Sequence, residues 1–295
     1  MAETKYGKYF ITELHHPARQ KNQEGQPVDW RVRVLYLDDR VLQGVFYLSS
    51  CWYTKGIEKA LAVEPHRHAC DEVLAFIGND PNHPLDLGGE IEMWIDAEKH
   101  LINKSCLVFI PKGMPHCPMR ATRADRPIFH FSTAPAGEAI KIPVEPRGTG
   151  EEKTAGTKYD KYFVTQQQYY GPLVPVDWKT RVLSLDNQIL EGAFFTSVVW
   201  YTGSSREPLP AEPHLHDCDE ILAFVGNNPD NPLDLGGEIE LWMDDEKHMI
   251  NKSSLIFIPK GLPHCPMWAK KIDRPILHFT AIPAVVYTKM PVETK

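Results

Sequence analysis

The chain has 295 residues, a formal charge of −7, and 25 prolines and 19 glycines. This length suits two domains that each bury a core, and the acidic balance argues against a nucleic-acid or anionic-membrane surface. The sequence contains no run of about 18 apolar residues that would span a membrane, and its first residues lack the apolar core of a signal peptide. Six cysteines show no disulfide framework, so we expect reduced thiols in a cytoplasmic protein.

An internal repeat dominates the organisation of the chain. His66 and His214 lie 148 positions apart, and the same offset holds from Val28 to the end of each copy. A polar, glycine-containing stretch between the copies predicts a flexible linker. We therefore predict an N-terminal domain over 1–146, a linker over 147–157 and a C-terminal domain over 158–295.

Apolar residues alternate with polar ones along most of the first copy, and no stretch shows a capped helical stripe. Short runs rich in β-branched and aromatic residues, separated by turn clusters, predict strands. These runs are 31–37, 41–49, 74–78, 90–95, 105–110 and 127–133. Many short strands at close spacing predict an all-β sandwich or barrel in each repeat.

Each repeat carries two histidines one residue apart, a glutamate four positions later, and a distant histidine after a Pro-x-Gly-x-x turn. In the first repeat these residues are His66, His68, Glu72 and His116. In the second repeat they are His214, His216, Glu220 and His264. Side chains at i and i+2 of a strand share a face, so the two imidazoles can bind one ion. A carboxylate and a third imidazole would complete most of its coordination shell.

These motifs resemble the two conserved motifs of the cupin superfamily, and the resemblance covers nearly the whole chain. It implies a duplicated bicupin, in which two double-stranded β-helix (jelly-roll) barrels follow in tandem. It also implies one divalent transition metal ion per barrel, and the donor set suits Fe, Mn, Ni, Co or Zn. The second motif departs from the family pattern at Ser105 and Ser253, and at Arg120 and Trp268, but the ligands are intact. Seed-storage-like bicupins generally lack these ligands, which counts against a purely structural role.

Other side chains are candidates for substrate binding. Arg33 and Arg181 lie on otherwise apolar strand faces, where they would hold a substrate carboxylate or form an ion pair. His130 and His278 lie on the last strand of each copy, as proton shuttles or as hydrogen-bonded histidines of the sheet.

Cysteines and aromatic residues also lie near the motif histidines. By strand alternation, Cys70 and Cys218 would share the ligand face, where each would present a thiol to the metal or simply be a small buried apolar residue. Cys117 and Cys265 would point away and serve in packing. The aromatic residues before the metal strand would line the pocket mouth or fill the core. They are Trp52, Tyr53, Trp200 and Tyr201.

The resemblance favours an oxidoreductase, namely a dioxygenase acting on a small enol, catechol, diketone or hydroxy acid. In that reading Glu72 and Glu220 ligate the metal or act as bases. The alternatives are a non-redox decarboxylase, isomerase or lyase of a small organic acid, and a metal-dependent binding protein without turnover. We expect a small-molecule substrate, no nucleic-acid or membrane partner, and a monomeric pseudo-dimer or small homo-oligomer.

Overall fold

The structure is a computed structural model that describes residues 4–15, 28–57, 64–145, 157–167 and 176–292. Its regular structure is β-strand, apart from two single-turn 3-10 helices at Gly7–Tyr9 and Asp160–Tyr162. The first half contains β1 Phe10–Ile11, β2 Arg31–Leu37, β3 Tyr47–Tyr53, β4 His66–Arg67, β5 Glu72–Gly78, β6 Asp86–Ile95, β7 Glu98–Lys104, β8 Cys106–Ile110, β9 His116–Ala124, β10 Ile128–Ala134 and β11 Ile142–Pro143. The second half contains β12 Phe163–Val164, β13 Lys179–Leu185, β14 Phe195–Tyr201, β15 His214–Leu215, β16 Glu220–Gly226, β17 Asp234–Met243, β18 Glu246–Lys252, β19 Ser254–Ile258, β20 His264–Ile272, β21 Ile276–Ile282 and β22 Met290–Pro291.

The strands form two pairs of antiparallel sheets. One barrel combines the six-stranded sheet β12-β8-β5-β10-β3-β2 with the five-stranded sheet β11-β4-β9-β6-β7. The other combines β1-β19-β16-β21-β14-β13 with β18-β17-β20-β15-β22. The prediction of an all-β chain with two tandem jelly-roll barrels is confirmed. None of the described segments contains a helix long and apolar enough to cross a membrane.

The first strand of each half pairs with the barrel of the other half. Strand β1 adds to β19, with Phe10 opposite Ile256, and β12 adds to β8, with Phe163 opposite Val108. The tyrosine hydroxyl before each of these strands donates to an aspartate of the same opposite barrel. Tyr6 reaches Asp244 at 2.8 Å and Tyr159 reaches Asp96 at 3.0 Å. The exchange therefore ties the two barrels together through two equivalent sets of contacts.

A continuous apolar core joins the two barrels. Phe131 and Phe279, on the last long strand of each half, stack with ring centroids 4.1 Å apart and planes 4° apart. Trp52 and Trp200 are fully buried in the same core. These two tryptophans therefore contribute to packing, and not to the mouth of a pocket.

One strand predicted from the sequence begins later in the structure. The run 41–49 was predicted as extended, but the described chain turns after Asp38 and β3 begins at Tyr47. The Asp38 carboxylate accepts hydrogen bonds from the backbone N–H groups of Arg40 and Val41, and Gly44 adopts a positive φ of 84°. A side chain that captures nearby N–H groups favours a turn over a strand. The predicted linker lies almost entirely outside the described residues, and the predicted domain boundaries remain a prediction.

Candidate metal centres

Strand pairing brings the motif histidines of each barrel together. His66 on β4 lies directly opposite His116 on β9, and His214 on β15 lies opposite His264 on β20. Glu72 and Glu220 begin the next strands along the chain, β5 and β16, which belong to the other sheet of each barrel. In the first barrel the centroid of the His66 ring lies 4.9 Å from that of His68 and 4.3 Å from that of His116. The second barrel repeats these distances to within 0.1 Å, at 5.0 and 4.4 Å.

Backbone carbonyls fix the orientation of all six imidazoles. In the first barrel the Nδ1 atoms of His66, His68 and His116 lie 2.8, 2.8 and 3.1 Å from carbonyl oxygens. The Nδ1 atoms of the second barrel make equivalent contacts, at 3.1 Å for His214, 2.6 Å for His216 and 3.1 Å for His264. A carbonyl only accepts, so each Nδ1 carries the proton and donates it. Each Nε2 is left with a free lone pair, the form in which a neutral imidazole binds a metal.

The glutamate of each motif lies against two of these Nε2 atoms. Glu72 Oε2 lies 3.5 Å from His68 Nε2 and 3.2 Å from His116 Nε2. Glu220 Oε2 lies 3.4 Å from His216 Nε2 and 3.0 Å from His264 Nε2. In each barrel the ligand atoms of these three residues lie within 4.8 Å of one another. The first motif histidine of each barrel, His66 or His214, is grouped instead with the last histidine and the cysteine that follows it, and its ring packs against the other two imidazoles. We call the four buried motif residues of each barrel its quartet.

Burial and the neighbouring imidazoles set the protonation of the quartets. Burial and then the charge of His116 lower the pKa of His66 to about 4. In the second barrel, burial and then the charge of His264 lower the pKa of His214 to about 4. Burial alone would raise the pKa of Glu220, but the close contacts with His216 and His264 bring that pKa below its ordinary value. At neutral pH His66 and His214 are therefore neutral and Glu220 is ionised, as cation binding requires of these groups.

Unsatisfied buried atoms support the fit of a cation. Glu72 Oε2, Glu220 Oε2 and His216 Nε2 are buried without a hydrogen-bond partner. An unpaired buried acceptor costs about 1–3 kcal/mol, and a bound ion would remove that cost. Three histidines and one glutamate in each barrel are a donor set that suits a divalent transition metal.

The structure corrects the expected direction of Cys117 and Cys265. Both are buried, and the ligand atoms of Cys117, His66 and His116 lie within 4.8 Å of one another. Cys265 is related to His214 and His264 in the same way. Strand alternation fails here because both cysteines have φ at 72°, in the left-handed region. Cys70 and Cys218, expected on the ligand face, are half-buried and belong to neither cluster, since β4 and β15 end before them.

A cavity of about 250 Å³ leads to the quartet of the second barrel. Its lining includes the metal-site residues His214, Glu220 and His264, and the cations Lys179, Arg181 and Lys289. The same three cations line an adjoining outer cavity of about 520 Å³. Burial and the neighbouring Arg181 and Lys289 charges lower the pKa of Lys179 to about 8.

The four predicted substrate-binding residues lie in different surroundings. Arg181 and His278 line the inner cavity beside the second quartet. Arg33 lines a separate cavity of about 140 Å³, whose lining contains no quartet residue. His130 is buried between the rings of Tyr53 and Phe76, and both His130 and His278 donate Nδ1–H to a backbone carbonyl at 2.9 Å.

Sequence reasoning did not assign a substrate-binding role to the other residues that line the inner cavity beside Arg181. Lys179 precedes Arg181 by two positions on β13, so the alternation that singled out Arg181 also places Lys179 on its face. Lys289 and Tyr287 follow the last long strand, where no periodicity indicated a role. Tyr201, treated as core or pocket mouth, is buried and lines the inner cavity.

No protein-family model and no curated protein matches this sequence. Solved structures do match. Oxalate decarboxylase OxdC from Bacillus subtilis aligns with a TM-score of 0.54 and 12% identity, over 89% of this chain and 74% of that one. Vicilin from Corylus avellana (hazelnut) aligns with a TM-score of 0.57 and 11% identity, over 97% and 88%. At this identity the likeness concerns the fold, and with the sheet order above it identifies the chain as a bicupin in fold, two cupin jelly rolls in tandem.

Proposed function

We propose that this protein is a metal-dependent enzyme that acts on a small organic acid in the second barrel. The observation that carries the proposal is the cavity in which Lys179, Arg181 and Lys289 face the same space as His214, Glu220 and His264. The volume of this space suits a molecule of a few carbons. The proposal thus combines a metal donor set with a positively charged binding chamber.

The charge of the chamber favours an anionic substrate. Glu220 is the one carboxylate among the described residues that line the inner cavity, and its position 3.0 Å from His264 Nε2 supports a role as a metal ligand. Among the described residues, no carboxylate forms an ion pair with Lys179 or Lys289. Lys179 is half-buried beside Arg181, and a half-buried cation next to a like charge is costly without a counter-ion, whereas Lys289 is exposed. A substrate carboxylate would supply that charge, and Arg181 would bind it through two parallel hydrogen bonds.

Dioxygenation is the first candidate reaction. A redox-active metal would supply O₂ chemistry and Lewis acidity to an enol, a diketone or a hydroxy acid. In this proposal the cationic side chains of the cavity bind the carboxylate of the substrate, and Tyr201 and Tyr287 exclude water. Because Glu220 is needed as a ligand, little carboxylate base is left in the cavity, which favours chemistry carried by the metal.

Non-redox decarboxylation or isomerisation of an organic acid is the second candidate, favoured by Lys179. With its pKa lowered to about 8 by burial and by the nearby cations, this amine exchanges a proton near neutral pH. It lines the cavity and is thus positioned to protonate a carbanion-like product. Dioxygenation has no such requirement, so loss of turnover in Lys179→Met with retained substrate binding would favour the second candidate.

Turnover assays on matched variants test the proposal. The purified protein, loaded in turn with Fe, Mn, Co, Ni and Zn, is assayed for O₂ uptake and for CO₂ release. The substrates are hydroxy acids, keto acids, diketones and catechols. A charged hydrogen bond contributes about 1.5–3 kcal/mol, so Arg181→Leu should raise KM for the active acid roughly 10- to 100-fold.

Arg33→Leu is the matched control, because Arg33 is the counterpart of Arg181 but lines a cavity without quartet residues. Its KM should stay within about twofold of the wild type, since no substrate contact is lost. Equal effects of the two substitutions would contradict the assignment of the second barrel. Tight binding of an acid without turnover under any metal would indicate a binding protein instead.

A further inference from the structure

Two buried cysteines lie beside the metal quartets without a role in the chemistry above. Cys117 and Cys265 each follow the last histidine of their quartet and are 6% and 4% exposed. In each barrel the ligand atoms of the cysteine, of that last histidine and of the first histidine of the motif lie within 4.8 Å of one another. Cys265 also lines the cavity that contains Glu220.

The backbone turns these thiols to the side of the histidines. Both cysteines have φ at 72°, a conformation that costs a non-glycine residue on the order of 1–2 kcal/mol. In an ordinary strand Cys117 would point to the opposite face from His116. The fold holds the same costly conformation in both halves, and its effect is to place sulfur next to two imidazoles.

The unsatisfied carboxylate oxygens of the quartets lie beside the same histidines as the thiols. Glu72 Oε2 and Glu220 Oε2 are buried and lack a hydrogen-bond partner. Each carboxylate oxygen lies within 3.2 Å of the Nε2 atom of His116 or His264, the histidine next to the cysteine. The carboxylate and the thiol of each barrel therefore belong to two overlapping groups of ligand atoms that share this histidine.

We propose that Cys117 and Cys265 each supply a sulfur donor to the metal ion of their barrel. The thiol loses its proton to solvent when the ion binds, as thiolate ligation requires. One thiolate and one carboxylate then balance the charge of a divalent ion inside the barrel. A sulfur donor shifts the preference of the site toward Zn, Co, Ni or Fe over Mg and Ca. This inference rests on the metal-binding part of the proposed function and does not depend on the substrate.

X-ray absorption of the Zn-loaded and Co-loaded protein tests the proposal directly. The wild type should show a sulfur scatterer about 2.3 Å from Zn and a thiolate-to-Co(II) charge-transfer band in the near ultraviolet. Cys117→Ser and Cys265→Ser should each halve the band, and the double variant should lose it. Cys70→Ser with Cys218→Ser is the matched control, because these half-buried thiols lie outside both clusters; it should keep the full band.

The outcomes separate the two proposals. Two bound ions per chain with only nitrogen and oxygen scatterers in the wild type would overturn the sulfur ligand and leave the metal quartets intact. That measurement needs no variant, so it holds even if a serine substitution prevents folding. A band that disappears in the Cys70 and Cys218 variant would also overturn it. Failure to bind any metal would overturn both the sulfur ligand and the proposed function.

Discussion

Acid should unfold the metal-free protein because two buried histidines resist protonation. Burial lowers the pKa of His130 and of His278 from 6.5 to about 4. Both side chains are less than a tenth exposed, and their rings stack on Phe76 and Phe224. The folded state therefore holds them neutral at pH values where the unfolded chain protonates them.

The sign and size of the effect follow from proton linkage. The folded pKa lies below the unfolded pKa, so the stability from these groups is complete above pH 6.5 and is lost as pH falls toward 4. At pH 5 each histidine costs the folded state about 2 kcal/mol, and the pair costs about 4 kcal/mol. Since a typical domain has only about 5–15 kcal/mol of stability, the loss should be large.

Urea unfolding of the chelator-treated protein at half-unit steps from pH 7 to pH 4 measures this effect. The double variant His130→Gln with His278→Gln keeps an amide donor toward the Ala75 and Ala223 carbonyls but removes the titrating groups. Between pH 7 and pH 5 it should lose about 4 kcal/mol less than the wild type loses. Identical pH dependence in the two proteins would refute the reasoning.

Three further predictions concern the barrels and the metal. Phe131→Ala should reduce the free energy of unfolding by about 3–5 kcal/mol, because the ring stacks on Phe279 between the barrels; a change below 1 kcal/mol in urea unfolding would contradict that packing. Tyr159→Phe removes the hydrogen bond to Asp96 and should lower the free energy of unfolding by about 1 kcal/mol. Tyr6→Phe, which removes the equivalent bond to Asp244, should have the same effect. An unchanged free energy of unfolding in both variants would argue against these contacts between the barrels. Glu220→Gln should weaken only one of the two metal sites, seen in competition with a chromophoric chelator, whereas equal weakening of both would be inconsistent with independent quartets.

The clustering of the motif histidines could be predicted from the sequence because their spacing is local and is repeated. His66 and His68 share a face wherever that segment is extended, and the same spacing recurs 148 positions later. The all-β architecture followed from short alternating runs. Placing a third histidine beside them needed only the strand pairing that such a barrel provides.

Other features depend on contacts or dihedral angles that the sequence does not encode locally. The exchanged strands β1 and β12 are two residues long, and nothing in their composition indicates that they pair with the opposite half. The direction of the Cys117 side chain was predicted wrongly, because strand alternation assumes an extended backbone and the φ of this residue is 72°. The cationic chamber was only partly foreseen, since Lys289 reaches it from outside the long strands.

Metal content tests most directly whether each barrel binds one metal ion. Elemental analysis of the chain after reloading with a transition metal and removal of excess should find two ions per chain. His66→Ala and His214→Ala should each retain one ion, and the double variant should retain none. A wild-type chain that retains no ion, or a double variant that retains both, would contradict the account.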